Sequence, residues 1–97
     1  MPVQLTAKDR ARLKARAHAL EPSVSVGNAG PTKAVITEVH RALAKHELIK
    51  VRIQGDDREL RKQAGDELAD AAGAAVVHRV GKIVILFLPK PDEPSPP

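Results

Sequence analysis

Ser23-Val24-Ser25-Val26-Gly27-Asn28-Ala29-Gly30-Pro31-Thr32-Lys33 decides the fold. A short run of alternating β-prone residues meets a glycine-flanked loop, and an amphipathic helix opens at the proline. Strand, tight loop and helix in that order begin a βαβ unit, so the chain is expected to build an α/β sheet. The same loop carries chemistry. A loop that opens a helix offers unpaired backbone N–H groups and the positive end of the helix dipole. Gly27 and Gly30 let a bulky anion approach the backbone, and Asn28 and Ala29 lie between them. Pro31 is predicted at the first helical position, while the Thr32 hydroxyl and the Lys33 ammonium add donors. A phosphate group suits such a site. The plainer alternative is that both glycines serve only a tight strand-to-helix turn.

On the N-terminal side, Thr6 opens a first helix with Asp9 as its capping-box partner, and the pattern runs to about residue 20, before Pro22. Its apolar stripe is thin: Leu13, Ala17 and Leu20, backed by Leu5. Lys8, Arg12 and Arg16 line one edge at i, i+4 spacing, and Arg10 and Lys14 line the other. Like charges at that spacing repel by a few tenths of a kcal/mol per pair, about 0.2–0.5. They form either a solvated face or one that faces phosphates; the scarcity of acidic partners favours the second.

On the C-terminal side, Val35, Ile36, Val39, Ala42 and Leu43 make a continuous arc over helix 31–46, the pattern of a helix laid on a sheet. Residues 47–53 read as a strand, with Ile49, Val51 and Ile53 on one face and Leu48, Lys50 and Arg52 on the other. Gly55-Asp56-Asp57 is a turn with Asp56 as N-cap. The helix that follows buries Leu60, Ala64, Leu68 and Ala71 and ends at Gly73. Strands over 75–80 and 82–88 turn at Gly81, and the last is apolar on both faces, which marks a covered central strand. The expected fold class is therefore α/β, a compact three-layer domain in the order α-β-α-β-α-β-β. It has a four-stranded mixed sheet covered by helices on both faces: the second and third helices together, the first alone. Two crossovers imply parallel pairings, and the final hairpin adds an antiparallel one. The domain spans 1–89; residues 90–97, with four prolines, are expected to form a disordered tail.

With 97 residues the chain supports one core. It has no cysteine, and Phe87 is its lone aromatic residue. No disulfide framework or thiolate zinc site is available, and a reducing cytoplasm fits. The apolar run 83–88 is too short to span a bilayer, and the start lacks the apolar core of a secretory signal, so a cytoplasmic protein that avoids membranes is expected. The net charge of +4 favours an anionic partner.

Several stretches together resemble a known family: Ala17-His18-Ala19-Leu20-Glu21-Pro22, the loop 27–30, His46-Glu47-Leu48-Ile49-Lys50-Val51, and Val80-Gly81-Lys82-Ile83-Val84-Ile85-Leu86-Phe87. In this order they closely resemble the CRM domain (chloroplast RNA splicing and ribosome maturation) in its stand-alone bacterial, YhbY-like form, over about residues 5–89. The resemblance implies an RNA-binding domain similar in fold to the C-terminal domain of translation initiation factor three. Its stand-alone members associate with the precursor of the large (50S) ribosomal subunit and act in ribosome assembly. Its GxxG loop, here Gly27 to Gly30, is compared with the backbone clamp of KH domains. Two departures stand out. Asn28 replaces a frequent lysine, and Phe87-Leu88-Pro89 stands where Tyr-Arg-Pro is common. Both remove polar or charged groups and shift the burden to Lys33 and the first helix.

The resulting expectation is a monomeric, non-enzymatic protein that grips structured ribosomal RNA by its backbone, with no cofactor, metal or small-molecule substrate. Amides of Ala29, Gly30, Thr32 and Lys33 would hold phosphate. Lys8, Arg12, Lys14 and Arg16 would extend the footprint, and Lys50, Arg52, Arg79 and Lys82 would add to it from strand ends and the hairpin. Lys50 and Arg52 also read as ordinary polar residues of a half-covered strand. The near absence of aromatics disfavours stacking on unpaired bases. Catalysis finds little support: His18, His40, His46 and His78 lack metal-ligand spacing, and the Walker signature is absent. His46 is expected to pack or to cap the last carbonyls of its helix, and Asp66, Glu67 and Asp70 read as a solubilising face. The competing reading is an adaptor that docks on ribosomal proteins without strong direct RNA binding. Gly30→Asp is expected to keep the fold while placing a carboxylate where phosphate sits.

Overall fold

The computed structural model describes residues 5–89, so the expectation for the tail 90–97 lies outside the described residues. In chain order the elements are α1 (Ala7–Ala17), β1 (Pro22–Val26), α2 (Lys33–His46), β2 (Leu48–Ile53), α3 (Arg58–Ala72), β3 (Ala75–Val80) and β4 (Ile83–Phe87). This is the expected order. The four strands form one sheet, β1-β2-β4-β3. β1 pairs parallel with β2, whereas β4 pairs antiparallel with both β2 and β3.

The sheet thus contains one parallel pairing where two crossovers suggested more. β2 and β3 run the same way, but β4 returns from the hairpin and inserts between them. Its sequence explains the placement: Val84, Ile85 and Leu86 are buried in succession, which only a strand covered on both faces satisfies.

Two cores flank the sheet. Val39 and Leu43 of α2 and Leu68, Ala69 and Ala72 of α3 pack on Val24, Val26, Ile49, Val51, Ile53, Val84 and Leu86. Leu13 and Ala17 of α1 pack on Leu48, Val77 and Ile85 from the other side, with Leu5 and Leu20 against them. The layers are therefore α1, sheet, and α2 with α3, as the pattern of the strands implied. Each large aliphatic fully removed from water contributes about 2 kcal/mol, so the seven-membered set of fully buried chains dominates cohesion.

Helix ends shift by a few residues. The Thr6–Asp9 capping box opens α1, but the helix stops at Ala17. His18, Ala19 and Leu20 continue as a tighter turn with bonds to the third residue back, at 3.2, 3.4 and 2.9 Å. In α2 the cap is Thr32, extended at φ −73° and ψ 169°, so Pro31 precedes the cap and is not the first helical residue. In α3 the cap is Asp57 rather than Asp56, and its carboxylate accepts from the amides of Glu59 and Leu60 at 2.9 and 3.2 Å. The buried face of α3 is also rotated. Gly65, Leu68, Ala69 and Ala72 face the sheet, Ala64 is half-buried, and Leu60 and Ala71 are exposed. Gly65 lies on this buried stripe and faces Ile53 and Val84.

Candidate functional site

β1, β2 and β3 all end at the same edge of the sheet, so the loop 27–32, the turn 54–57 and the turn 81–82 form one rim. Backbone bonds join them: Gln54 N–H donates to the Val26 carbonyl at 3.0 Å, and Ile53 N–H to the Lys82 carbonyl at 2.7 Å.

Within the loop, Gly30 N–H donates to the Gly27 carbonyl at 3.0 Å, and Thr32 N–H donates to the Gly30 carbonyl at 2.9 Å. Gly30 sits at φ +79°, where an L side chain is strained. The two bonds consume amides expected to hold phosphate. Those of Ala29 and Lys33 remain, joined by that of Ala34 in the first turn of α2, which the sequence pattern did not single out. The Thr32 hydroxyl oxygen accepts from Val35 N–H at 3.3 Å, which leaves its own proton available to a ligand. Asn28 and Lys33 are exposed.

The loop has a repulsive side. A cavity of about 190 Å³ lies between Gly27, Asn28 and Gly30 on one wall and Asp56, Asp57 and Leu60 on the other. Two carboxylates there outnumber the Arg61 guanidinium that also lines the cavity and disfavour an anion, so a phosphate would be met from the side of the Lys33 and Ala34 amides.

The expected cations fall into three groups. Arg52 is exposed at the end of β2, in register with Ser25 and Ile83, and so belongs to the rim. Lys82 lies in the hairpin turn and comes within 4.0 Å of Asp56. Arg79 is bound to Asp66 of α3, which Lys62 also approaches at 3.5 Å. Asp66 is thus a cross-element anchor, not only a solubilising charge. Lys8, Arg12, Lys14 and Arg16 ride on α1, on the opposite face of the sheet from α2. The structure therefore does not merge them with the loop into one site. Arg12 pairs with Asp9 at 2.9 Å, and hydrogen bonds from Thr6 hold the Asp9 carboxyl below its usual value.

Two further cations act structurally. Lys50 is half-buried, and its ammonium donates to the Leu20 carbonyl at 3.1 Å, tying the α1–β1 connection to β2. Arg10 donates to the Val76 carbonyl at 2.5 Å and fastens α1 to β3. His46 is exposed at the end of α2 rather than packed. Among the described residues no cluster of His, Asp or Glu is arranged to hold a metal ion, and no helix is long and apolar enough to cross a membrane.

The sequence model of the CRS1 / YhbY (CRM) domain matches residues 5–87. The chain belongs to this family. A Haemophilus influenzae protein named "RNA-binding protein" is 38% identical over 88 residues, covering 91% of this chain and 89% of that protein. A Pseudomonas aeruginosa relative named "Probable RNA-binding protein" is 34% identical over 91 residues, covering 92% of this chain and 88% of its own. The solution structure of a hypothetical protein from Staphylococcus aureus superposes with a TM-score of 0.81 at 24% identity, over 95% of both chains. This CRM-family chain and that protein share the fold.

Proposed function

We propose that this chain is a non-catalytic RNA-binding protein that grips the phosphate backbone of structured ribosomal RNA and acts in assembly of the large ribosomal subunit. The observation that carries the reading is the family match over residues 5–87, whose relatives bear RNA-binding names. The loop supplies a matching chemistry. Free amides of Ala29, Lys33 and Ala34, the Thr32 hydroxyl and the Lys33 ammonium present donors at the positive end of α2. Gly27, Asn28 and Gly30 keep that approach unobstructed, since no atom lies within 4 Å of where a Cβ would stand on either glycine.

Arg52, Lys82 and Arg79 extend the footprint along the rim, the last two after exchanging an exposed carboxylate for a phosphate. Lys8, Arg12, Lys14 and Arg16 provide a second basic face on α1. Lys50, held by Leu20, supports the fold beneath them. Phe87 is half-buried in the α1 core, which leaves backbone and shape recognition as the mode for such a surface. The ribosomal target is what the resemblance to stand-alone family members implies. A cytoplasmic monomer working without cofactor or metal is part of the same proposal.

The test is a fluorescence-anisotropy titration against large-subunit ribosomal RNA fragments, duplex RNA and matched DNA at several salt concentrations. Tight, salt-dependent binding that prefers structured RNA is expected. Negligible binding to every nucleic acid would sink the reading and favour a protein-docking adaptor.

A further inference from the structure

The β3–β4 hairpin and the first half of α3 enclose a cavity of about 270 Å³ on the face opposite α1. Arg58, Arg61, Lys62, Arg79 and Lys82 line it, with Glu59 as the carboxylate among its lining residues. Two independent features set this cluster apart from an ordinary solvated face.

The first is placement. Arg58, Arg61 and Lys62 occupy the opening turns of α3, where the helix dipole disfavours positive charge. They also repel one another at i, i+3 and i, i+4 spacing. The carboxylates in reach only partly compensate. Asp66 serves both Arg79 and Lys62, and the exposed Asp56 reaches Lys82 only at 4.0 Å. Arg58 has no ion-pair partner among the described residues.

The second is Arg61. One terminal nitrogen of its guanidinium donates to the Gly55 carbonyl at 2.7 Å, which fixes the group, while its Nε is buried without an acceptor. A buried donor left unpaired is unfavourable, so Arg61 is held at the cavity wall with hydrogen-bonding capacity unspent.

We propose that this cavity is a phosphate-binding pocket that receives a second backbone phosphate of the bound RNA. The inference rests on the RNA-binding reading and extends it to Arg58, Arg61 and Lys62, which that reading does not use. Guanidinium forks match phosphate oxygens in pairs, and Ile53, Ile83 and Val84 supply an apolar wall for the ribose. Lining aromatics, which a base would need for stacking, are absent from this pocket. Arg61 also lines the smaller cavity beside the loop, so the pocket adjoins the loop that holds the first phosphate.

The experiment compares the parent protein with Arg58→Gln/Lys62→Gln, two exposed positions whose loss leaves the Arg61 anchor in place. Isotope-labelled protein is titrated with inorganic phosphate while backbone amide shifts are followed, and RNA affinity is measured against salt. Saturable shifts at residues 58–62, 81 and 82 are expected in the parent and not in the variant. The variant should also lower the RNA salt slope by about 0.7 on a single strand to 0.9 on a duplex, the contribution of the one phosphate no longer neutralised. Absent or unsaturable shifts, or an unchanged slope in a variant whose parent binds RNA, would overturn the pocket. Saturable phosphate shifts in a parent that binds no RNA would instead overturn the RNA reading and the proposed occupant, and leave a site for a free phosphate group.

Discussion

Gly30 holds φ at +79°, whereas Gly27 lies outside the left-handed region and has open space where a Cβ would stand. Gly30→Ala should therefore cost about 1 kcal/mol through backbone strain alone. Gly27→Ala should be neutral or stabilise by roughly 0.5 kcal/mol by restricting the unfolded chain. Urea unfolding of the two variants checks the difference. The same geometry changes the informative test of the loop. Gly30→Asp mixes strain with charge, so a loss of RNA affinity there does not isolate the charge; Gly27→Asp adds the charge without that strain. It should unfold close to the parent, with slight repulsion from Asp56 and Asp57 across the cavity, and bind RNA less tightly, and RNA affinity equal to the parent's would remove the loop from the mechanism. The loop was readable in the sequence because glycine, proline and threonine act on their own backbone. Its internal bonds were not, since which amides a turn consumes depends on its dihedral angles. Nor were the roles of Lys50 and Arg79, whose partners Leu20 and Asp66 lie 30 and 13 positions away.

Apolar patterning located every helix and strand, through one buried face in most and through an unbroken apolar run in β4, and the Thr6–Asp9 capping box marked the start of α1. It misread the rotation of α3, where leucines attract attention but the buried stripe runs through Gly65, Leu68, Ala69 and Ala72. A Cβ on Gly65 would meet Ile53 Cδ1 at 3.5 Å and Val84 Cγ2 at 3.7 Å, ordinary van der Waals distances. Gly65→Ala should therefore add helix propensity without a clash and stabilise the domain by roughly 0.5–1 kcal/mol, measurable by thermal unfolding. The strand order was legible through β4, whose double-sided apolarity required the middle of the sheet. The irregularity in β3 was not. A register shift between Val76 and His78 puts both Val77 and His78 on the side of α1, since Val77 packs with that core and His78 pairs with Ile85. Burial, and then the Lys14 ammonium, lower the His78 pKa from its usual 6.5. The unfolded chain thus binds a proton more readily than the folded one. Stability should rise with pH between the folded value and about 6.5, and be free of this penalty above it. His78→Gln should flatten that rise, and denaturant midpoints from pH 5 to 7.5 would show it.

At the scale of the whole molecule, the sheet separates the positive charge into two faces. The rim loop and the α3 side lie with α2, and the Lys8–Arg12–Lys14–Arg16 set lies with α1. The layering expected from the sequence already set the α1 cations opposite α2 and α3, but not the gathering of Arg58, Arg61 and Lys62 beside the β3–β4 hairpin. The division has a measurable consequence. If about five phosphates are neutralised in all, log affinity should fall with log salt at a slope of about −3.5 on single strands to −4.5 on duplex. A short hairpin cannot reach both faces of a sheet at once, whereas a folded ribosomal fragment can wrap around the edge. The slope for the large fragment should therefore exceed that for a hairpin. Arg12→Gln/Arg16→Gln should lower the slope for the fragment by about 1.4 to 1.8 and leave a hairpin seated at the loop unaffected. Equal losses on both RNAs would mean that the two faces act on the same segment. No loss on either would return the α1 charges to the role of a solvated surface.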